Sequence, residues 1–374
     1  MRKKLYVINS PSYVMNHPAH TCGQTLIDEP LSEHFTFIYA NLAKFGLVDD
    51  VVIFPREGPH DKFRHEIIDR IDLGDGKIME HNWNRHEKID IINSDSNSFV
   101  YGFSRFEEFQ YFKNSFNIVN PVGLNISRDN CLNRRHHHYA LVDGVRHQNH
   151  FKVVPSDIPV RSCPTTSKRF LEIDVDQIQK TKKKYDWIII SSFDPRKRHI
   201  EFLNSISKNP EFKNLKGCIV GRNPDNKGRL NEGHHVMHHI VNSTLFKDKN
   251  FDIVLNADNN LMIELLAQSK ISICTSAFDW GPRAMIEAIQ AGVPIFTMPH
   301  IGAADWVVSG GNGEFIERIE DSEIALYEML KKYDEGMYLE KSKEMSQAIK
   351  PENLYPAIVR DIKKYEDLYK QKAG

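Results

Sequence analysis

Two halves of the chain repeat an alternation of strand-like and helix-like patterns, and this feature restricts the fold most. The first half has apolar runs at residues 5–8, 51–54, 89–92, 116–119 and 152–155, and a helical pattern at 35–45. The second half has runs at residues 187–190, 218–220, 251–255, 271–274 and 293–298, with helical patterns at 200–206, 261–266 and 283–291. Such alternation predicts parallel sheets covered by helices on both faces.

The chain of 374 residues is long enough for two domains. A polar, charged stretch at residues 164–184 predicts a linker between them. We therefore predict an N-terminal α/β domain with its linker at residues 1–180 and a second α/β domain at residues 181–352. Residues 353–374 predict a charged amphipathic helix.

Composition excludes several classes of protein. The formal net charge of −1 provides no overall field toward nucleic acid or an anionic membrane. The five cysteines form no C-x-x-C pair, which argues against a disulfide framework and favours a reducing, cytoplasmic compartment. The first apolar run is too short for a signal peptide, and no stretch approaches the roughly 20 apolar residues of a membrane span.

A strand, a short loop and a helix follow one another at residues 271–291, and the loop is suited to ligand binding. Asp279 lies on the loop, Pro282 suits the first helical turn, and Glu287 lies on the helix. The start of such a helix offers unpaired N–H groups and a positive dipole end to a phosphate. Two other interpretations stay open: Asp279 as a helix cap, and Glu287 paired with Arg283 one turn earlier.

A basic turn follows the strand at residues 187–190. It contains Arg196, Lys197 and Arg198. Fixed cations at a strand end stabilise the negative charge that grows on a phosphate leaving group. The alternative is a solvated basic turn. A glycine-rich turn at residues 301–313 follows the next strands, although its Asn-Gly pair is also a common turn without any ligand.

These segments resemble the retaining GT-B glycosyltransferases of family four, also called glycosyl transferases group 1. Their signature, E-x(7)-E followed by a small residue, a glycine and a proline, is similar to Asp279-x(7)-Glu287 followed by residues 291–294. The resemblance implies that Glu287 binds the ribose hydroxyls of a sugar nucleotide. It implies that Asp279 binds hydroxyls of the donor sugar, with an arm one methylene shorter than glutamate.

The same resemblance covers the basic turn. Lys197 matches a lysine of the family, whereas Ser192 stands where the family has an arginine. Arg196 or Arg198 would then supply the missing positive charge near the diphosphate. Backbone groups of three neighbouring residues would contact the diphosphate or the donor sugar: Gly281, Pro282 and Arg283.

The N-terminal half resembles the family less closely. Gly23 matches its glycine-rich first loop, and residues 89–95 resemble a strand that usually ends in a histidine. The resemblance implies an active-site histidine in this half. The neighbouring run at residues 136–138 supplies a candidate, His138, although such runs are also found as polar surface or core residues.

Two further patterns resemble metal sites. The pairs His234/His238 and His235/His239 have the i,i+4 spacing that can hold zinc on a helix, but no third ligand is evident. The Asp-x-Asp pattern at residues 174–176 lies in the predicted linker and not after a strand. We predict that both are solvated and that the protein binds no metal.

Taken with the residues, the resemblance implies a GT-B fold: two facing Rossmann-like domains, with acceptor bound by the first, donor by the second, and a C-terminal helix that returns to the first. The predicted enzyme is a hexosyltransferase-like glycosyltransferase. It would move a sugar from a nucleotide-diphosphate sugar to a glycan, lipid-linked or other hydroxyl acceptor, with retention and without a cofactor. Three alternatives stay open: a sugar-nucleotide epimerase, a weakened nucleotide-sugar-binding protein, and a transferase that acts on nucleic-acid bases.

Overall fold

The computed structural model divides the chain into two compact units. Unit 1 comprises Met1–Ser167 and Pro351–Gly374, and unit 2 comprises Lys168–Lys350. The structure describes residues 2–10, 34–55, 76–80, 85–103, 106–120, 135–142, 157–164, 168–209, 211, 214–221, 230–248, 250–277, 279, 282–302, 304, 306 and 310–373.

The strands of the described residues, in chain order, are Lys4–Ser10 (β1), Asp50–Pro55 (β2), Ile78–Glu80 (β3), Ser98–Phe103 (β4), Phe116–Asn120 (β5), Tyr139–Val142 (β6), Val160–Ser162 (β7), Tyr185–Ile190 (β8), Gly217–Gly221 (β9), Phe251–Leu255 (β10), Ser269–Cys274 (β11), Ile295–Thr297 (β12) and Gly313–Phe315 (β13). Their α-helices are His34–Lys44 (α1), Arg85–Asn93 (α2), Lys168–Leu171 (α3), Val175–Lys180 (α4), His199–Ile206 (α5), Leu230–Asn242 (α6), Thr244–Lys247 (α7), Asn259–Ala267 (α8), Arg283–Gln290 (α9), Ser322–Asp334 (α10), Leu339–Ala348 (α11) and Pro351–Ala373 (α12).

Unit 1 contains a seven-stranded sheet in the order β3-β2-β1-β4-β5-β6-β7, and all of its strand pairs are parallel. Its central strands are apolar on both faces, as a sheet covered by helices requires. The sequence predicted β1, β2 and β5. The predicted run at residues 152–155 lies outside the described residues.

The predicted strand at residues 89–92 is wrong, because these residues belong to helix α2. Lys88 and Ile92 lie one helical turn apart and are both buried. The Lys88 amine pairs with the buried Glu108 carboxylate at 2.7 Å, so the lysine belongs to the helix face that packs inward. Strand β1 lies between β2 and β4, and the sequence analysis did not predict β4.

Helix α12 belongs to unit 1, as the predicted fold class requires. The Lys3 amine contacts both Glu366 carboxylate oxygens, at 2.7 and 2.9 Å. The Tyr139 hydroxyl donates to the Asp361 carboxylate. These contacts join the helix to strands β1 and β6.

Unit 2 contains a six-stranded sheet in the order β10-β9-β8-β11-β12-β13, and every strand pair in it is parallel. Trp187 on β8 is buried beneath β9. A Cβ atom at Gly217 would lie 2.1 Å from the Trp187 ring, so only glycine fits there. The sequence predicted five of these strands and missed β13.

The unit boundary differs from the predicted one at residue 180. The predicted linker contains helices α3 and α4, which belong to unit 2. Asp174 caps α4 by accepting from the N–H groups of Asp176 and Gln177. The Gln179 side chain donates to the Leu339 carbonyl oxygen at 2.9 Å. This region is therefore part of a folded unit, and its polar residues serve helix capping and packing.

Candidate functional site

The unit 2 sheet reverses its winding between β8 and β11. These strands are neighbours, and the chain proceeds outward from β8 through β9 and β10, and from β11 through β12 and β13. In open parallel sheets, ligands bind beyond the carboxyl ends of the strands at such a reversal. The loops after β8 and β11 are therefore the place in this unit where a site is expected.

The turn after β8 positions Lys197. Asp194 caps a short 3₁₀ helix, Pro195–Lys197, by accepting from the Arg196 N–H at 2.9 Å. Arg198 then adopts a left-handed backbone with φ of 56°, which is strained for a residue with a side chain. This conformation ends the 3₁₀ helix and turns the chain into α5.

Lys197 and Asp279 are brought together by the turns after β8 and β11. The Lys197 amine pairs with the Asp279 carboxylate, and both side chains are less than one-fifth exposed. The loop after β12 joins them, because the Gly302 N–H donates to the Asp279 carbonyl oxygen at 2.9 Å. The carboxylate of Asp279 therefore pairs with the Lys197 ammonium group. Asp279 is not the cap of α9, because Pro282 occupies that position.

Backbone contacts also connect the two loops. The Ala277 N–H donates to the Arg196 carbonyl oxygen at 2.7 Å. The Thr275 hydroxyl donates to the Lys197 carbonyl oxygen at 3.3 Å. Because these bonds involve main-chain groups, they fix the backbone on both sides of the ion pair.

Glu287 is buried on the second turn of α9. Its carboxylate lies 3.4 Å from the Arg283 guanidinium one turn earlier, which is the i,i+4 pair that the sequence left open. The half-exposed Arg283 begins the helix, and Pro282 precedes it without a side-chain cap. The helix start therefore keeps N–H groups without a side-chain cap at the carboxyl edge of the sheet.

Residues 172–350, within unit 2, match the family model of glycosyl transferases group 1. The chain is a glycosyltransferase. No curated protein matches its sequence.

Solved structures share the fold over the whole length of this glycosyltransferase. A glycosyltransferase from Rickettsia africae ESF-5 has a TM-score of 0.63 at 14% identity, with 99% of this chain and 98% of that chain covered. HepE from Anabaena, solved in complex with UDP, has a TM-score of 0.62 at 12% identity, with 98% and 100% covered. Sucrose-phosphate synthase from Thermosynechococcus elongatus has a TM-score of 0.59 at 14% identity, with 99% of both chains covered. The fold is GT-B.

Three other predicted donor-site residues of the glycosyltransferase have different surroundings from those expected. Arg196 forms a two-bond pair with Asp194, at 3.0 Å from Nε and 2.6 Å from Nη2. Its charge is therefore partly neutralised within its own turn. The exposed Ser192 contributes its carbonyl oxygen, which accepts from the Asp194 N–H at 2.8 Å. The guanidinium of Arg198 lies 3.6 Å from Met298 Sδ, just beyond β12.

The position of His138 argues against its predicted catalytic role. His138 directly precedes β6, at the amino edge of the unit 1 sheet, whereas ligands of parallel sheets bind at the carboxyl edge. Its ring stacks on Tyr369 with centroids 4.0 Å apart, and its Nδ1 accepts from the Asn117 N–H at 3.0 Å. Burial lowers the pKa of His138 to about 4, so the ring is neutral and packed.

Some predictions are outside the described residues, and others concern metals. Gly23 and Gly281 lie outside the part of the chain that the structure describes. Within the described part, no three His, Cys, Asp or Glu side chains are placed to hold a metal ion. The paired rings of His235 and His239, 4.5 Å apart, lie on the exposed face of α6. Every helix in the described ranges is too short or too polar to cross a bilayer.

The glycine-rich turn serves both edges of the sheet. Gly302 contacts Asp279 at the carboxyl edge, as described above. Asn312 is buried at the amino edge, where its carbonyl oxygen accepts from the Ile295 N–H at 3.0 Å and its side chain accepts from Ser342. The Asn-Gly part of this match therefore supports packing of β12, β13 and α11.

Sequence reasoning missed a hydrogen-bonded pair beside the Lys197 turn. The Ser191 hydroxyl lies 3.0 Å from Nε2 of His199, the first residue of α5. His199 is 1% exposed, and burial lowers its pKa to about 4. The only signal in the sequence is that the two residues flank the basic turn, and neither periodicity nor composition marks such a contact.

Proposed function

We propose that this glycosyltransferase transfers a sugar from a nucleotide-diphosphate sugar to an acceptor hydroxyl, with retention at the anomeric carbon and without a metal ion. The observation that carries the proposal is the Lys197–Asp279 pair at the β8/β11 reversal of a group 1 domain. A cation and a carboxylate at this edge match the two ends of the donor, its diphosphate and its sugar. UDP in the HepE structure supports a uridine nucleotide as the first one to test.

Each residue of the site has a proposed role. The Lys197 amine moves from Asp279 to the diphosphate and neutralises the charge that develops as the glycosidic bond breaks. The N–H groups in the first turn of α9, which begins at Arg283 directly after Pro282, add the positive end of the helix dipole. Asp279 then accepts from hydroxyls of the donor sugar, and Glu287 accepts from the ribose hydroxyls.

Retention and metal independence follow from different arguments. Retention is supported by the resemblance of the Asp279-x(7)-Glu287 segment to the retaining family. Metal independence is supported by the charge balance, because Lys197 and a helix start supply positive charge where other transferases use a divalent ion. The acceptor, a glycan, a lipid-linked group or another hydroxyl compound, is proposed to bind unit 1.

A thermal-shift panel of nucleotide sugars tests donor binding. Binding to the native state raises the melting midpoint by mass action, and Lys197→Ala or Glu287→Ala should abolish that rise. Lys343→Ala is the matched control, because this lysine pairs with Asp176 on the surface. If both site variants keep the full shift of the wild-type enzyme, the proposed site is wrong.

An activity assay distinguishes the alternatives. The donor that gives the shift is incubated with and without acceptors, and nuclear magnetic resonance reads the anomeric configuration of donor and product. Transfer with the donor's configuration, undiminished by EDTA, is expected. Isomerised donor without acceptor would indicate an epimerase, binding without turnover a binding protein, and loss of activity in EDTA a metal-dependent enzyme.

A further inference from the structure

Ser191 is the first residue after β8, so it lies at the sheet reversal where ligands of such sheets bind. Its side chain is partly exposed, whereas its hydrogen-bond partner His199 is fully buried. The Oγ–Nε2 distance is 3.0 Å. A partly exposed serine therefore shares a hydrogen bond with a histidine of the core.

The surroundings fix the His199 ring. The Phe193 ring packs against it with centroids 5.7 Å apart. Phe193 is itself confined by the end of β9, where a Cβ atom at Gly221 would lie 2.6 Å from the Phe193 ring and 3.1 Å from the Ser191 carbonyl oxygen. The histidine cannot rotate away without disturbing this contact, so the Ser191 hydroxyl has a fixed partner.

The tautomer of His199 follows from its second nitrogen. In the described part of the chain, no group hydrogen-bonds the buried Nδ1. The ring is neutral at pH 7, so one nitrogen carries the proton and the other is bare. A buried N–H without a partner is rarer in proteins than a buried acceptor without one. The same preference favours the tautomer with the proton on Nε2, in which Nε2–H donates to Ser191 Oγ.

In this tautomer the Ser191 hydroxyl keeps its own proton for a second hydrogen bond. Because Oγ accepts from His199, its O–H is available to an acceptor other than the histidine. The 3₁₀ helix that carries Lys197 begins three residues after Ser192 on the same turn. A neutral donor in this place adds a hydrogen bond for an anion and, unlike a second cation, does not attract the Asp279 carboxylate.

We propose that Ser191 is a donor-binding residue that gives its hydroxyl proton to a diphosphate oxygen of the nucleotide sugar, and that His199 is the positioning residue that holds it. This inference rests on the proposed function and deepens it. It adds to the site a residue that the basic turn alone does not reveal.

Titration calorimetry with UDP, GDP and ADP as probes tests the inference, and the nucleotide that wild-type enzyme binds best is used for the variants. Ser191→Ala should weaken binding about ten- to a hundredfold, since a hydrogen bond to a charged group is lost. Ser191→Thr, which keeps the hydroxyl, should restore most of it. Ser207→Ala at the end of α5 is the matched control, because its hydroxyl bonds only within the helix end, to the Asn204 carbonyl oxygen at 3.1 Å.

The role of His199 is tested by a cycle of variants. His199→Gln keeps an N–H donor and should bind close to wild type, whereas His199→Phe should lose as much affinity as Ser191→Ala. The double variant should lose no more than either single variant, because both changes remove one hydrogen bond. The KM for the nucleotide sugar should rise in the same order, with melting midpoints recorded for every variant.

The outcomes separate the two proposals. Unchanged nucleotide affinity in Ser191→Ala, with affinity lost in Lys197→Ala, overturns this inference and leaves the proposed function standing. Losses that add in the double variant overturn the positioning role of His199. Absence of binding by wild-type enzyme to all three probes overturns both proposals. If His199→Phe does not fold, the Ala and Thr variants of Ser191 decide the matter.

Discussion

The two edges of the unit 2 sheet both hold lysines, but in different ways. At the amino edge, the Lys183 amine donates to the Ile178 and Ala267 carbonyl oxygens at 3.1 and 2.8 Å, near the ends of α4 and α8. Lys270 lies between the Asp186 and Asp334 carboxylates at 3.1 and 3.0 Å. At the carboxyl edge, Lys197 pairs with a carboxylate carried on a loop.

The difference lies in what can replace the partner. Backbone carbonyl oxygens at helix ends stay in place, and a lysine bound to them completes the fold. A side-chain carboxylate is an anion of its own, and a diphosphate can take its place on the same amine. A cavity at the amino edge, lined by Lys183, Gly292 and Tyr338, therefore lies on the structural side of the sheet. Position at an edge, more than residue type, distinguishes a ligand-binding lysine.

The largest expected effect is the difference in kcat between alanine variants of two lysines, one at each edge of the unit 2 sheet. Lys197→Ala should lower kcat by about 10²- to 10³-fold, as loss of one charge-stabilising group does, with a small change in melting midpoint. Lys270→Ala should lower the melting midpoint and leave kcat of the folded enzyme unchanged. Steady-state kinetics and calorimetry measure both. Equal loss of kcat in the two variants would remove the distinction between the edges.

Acid should destabilise the protein through two buried histidines, one at the carboxyl edge of the unit 2 sheet and one at the amino edge of the unit 1 sheet. The pKa of His199 and of His138 falls from the ordinary 6.5 to about 4 in the fold, mainly because of burial. The unfolded chain therefore binds more protons between these values, and stability falls as pH drops from 6.5 toward 4. The full loss is about 3 kcal/mol for each residue.

Melting midpoints between pH 7.5 and 4.5 measure this acid sensitivity. His199→Gln should flatten the curve below pH 6.5, because glutamine does not titrate. His138→Gln should do the same without changing nucleotide affinity, which distinguishes the histidine beside the site from the one at the amino edge of unit 1. A curve that neither variant flattens would show that other groups cause the acid sensitivity.

An intermediate effect on stability is expected from replacing Lys183 at the amino edge of the unit 2 sheet. Lys183→Met should destabilise the fold by about 2 kcal/mol, because it removes the charged donor to the Ala267 carbonyl oxygen and one of the two donors to the Ile178 carbonyl oxygen. Burial lowers the pKa of Lys183 to about 8. Urea unfolding of wild type and variant measures the change, and Lys343→Met, on the exposed face of α11, is the control. Loss of nucleotide binding with unchanged stability would contradict a structural role.

The smallest expected effect is on stability and turnover when two aspartates are compared. Asp174→Ala removes the cap of α4 and should lower stability by about 1 kcal/mol with normal turnover. Asp279→Ala should keep stability and lower turnover, because its partner is the site lysine. The reverse result for this pair, measured by thermal melting and steady-state kinetics, would mean that the carboxyl-edge contact is structural.

Much of the unit 2 site could be predicted from sequence, because it depends on local patterns. Strand β11, its loop and α9 lie within one continuous segment, and Lys197 directly follows β8. The sequence predicts a strand where α2 forms, since the burial of Lys88 depends on Glu108, a partner twenty residues away. Such contacts are made by the folded chain and leave no period in the sequence.

The Ser191–His199 contact shows the same limit at short range. The two residues are eight positions apart and meet only because Arg198 takes a left-handed conformation. A sequence pattern gives no reason to expect that conformation in an arginine. The position of His138 could not be predicted either, because the sequence does not say at which edge of the sheet a histidine lies.

Because α12 belongs to unit 1, the two units differ in whether one continuous gene segment can encode them. Unit 2 is one uninterrupted stretch, Lys168–Lys350, whereas unit 1 is assembled from both ends of the chain. A gene segment for unit 2 can therefore be expressed in isolation, but unit 1 requires co-expression of two pieces or a circular permutation. Cleavage after Ser167 and Lys350 would leave the terminal pieces associated only through contacts such as Lys3–Glu366.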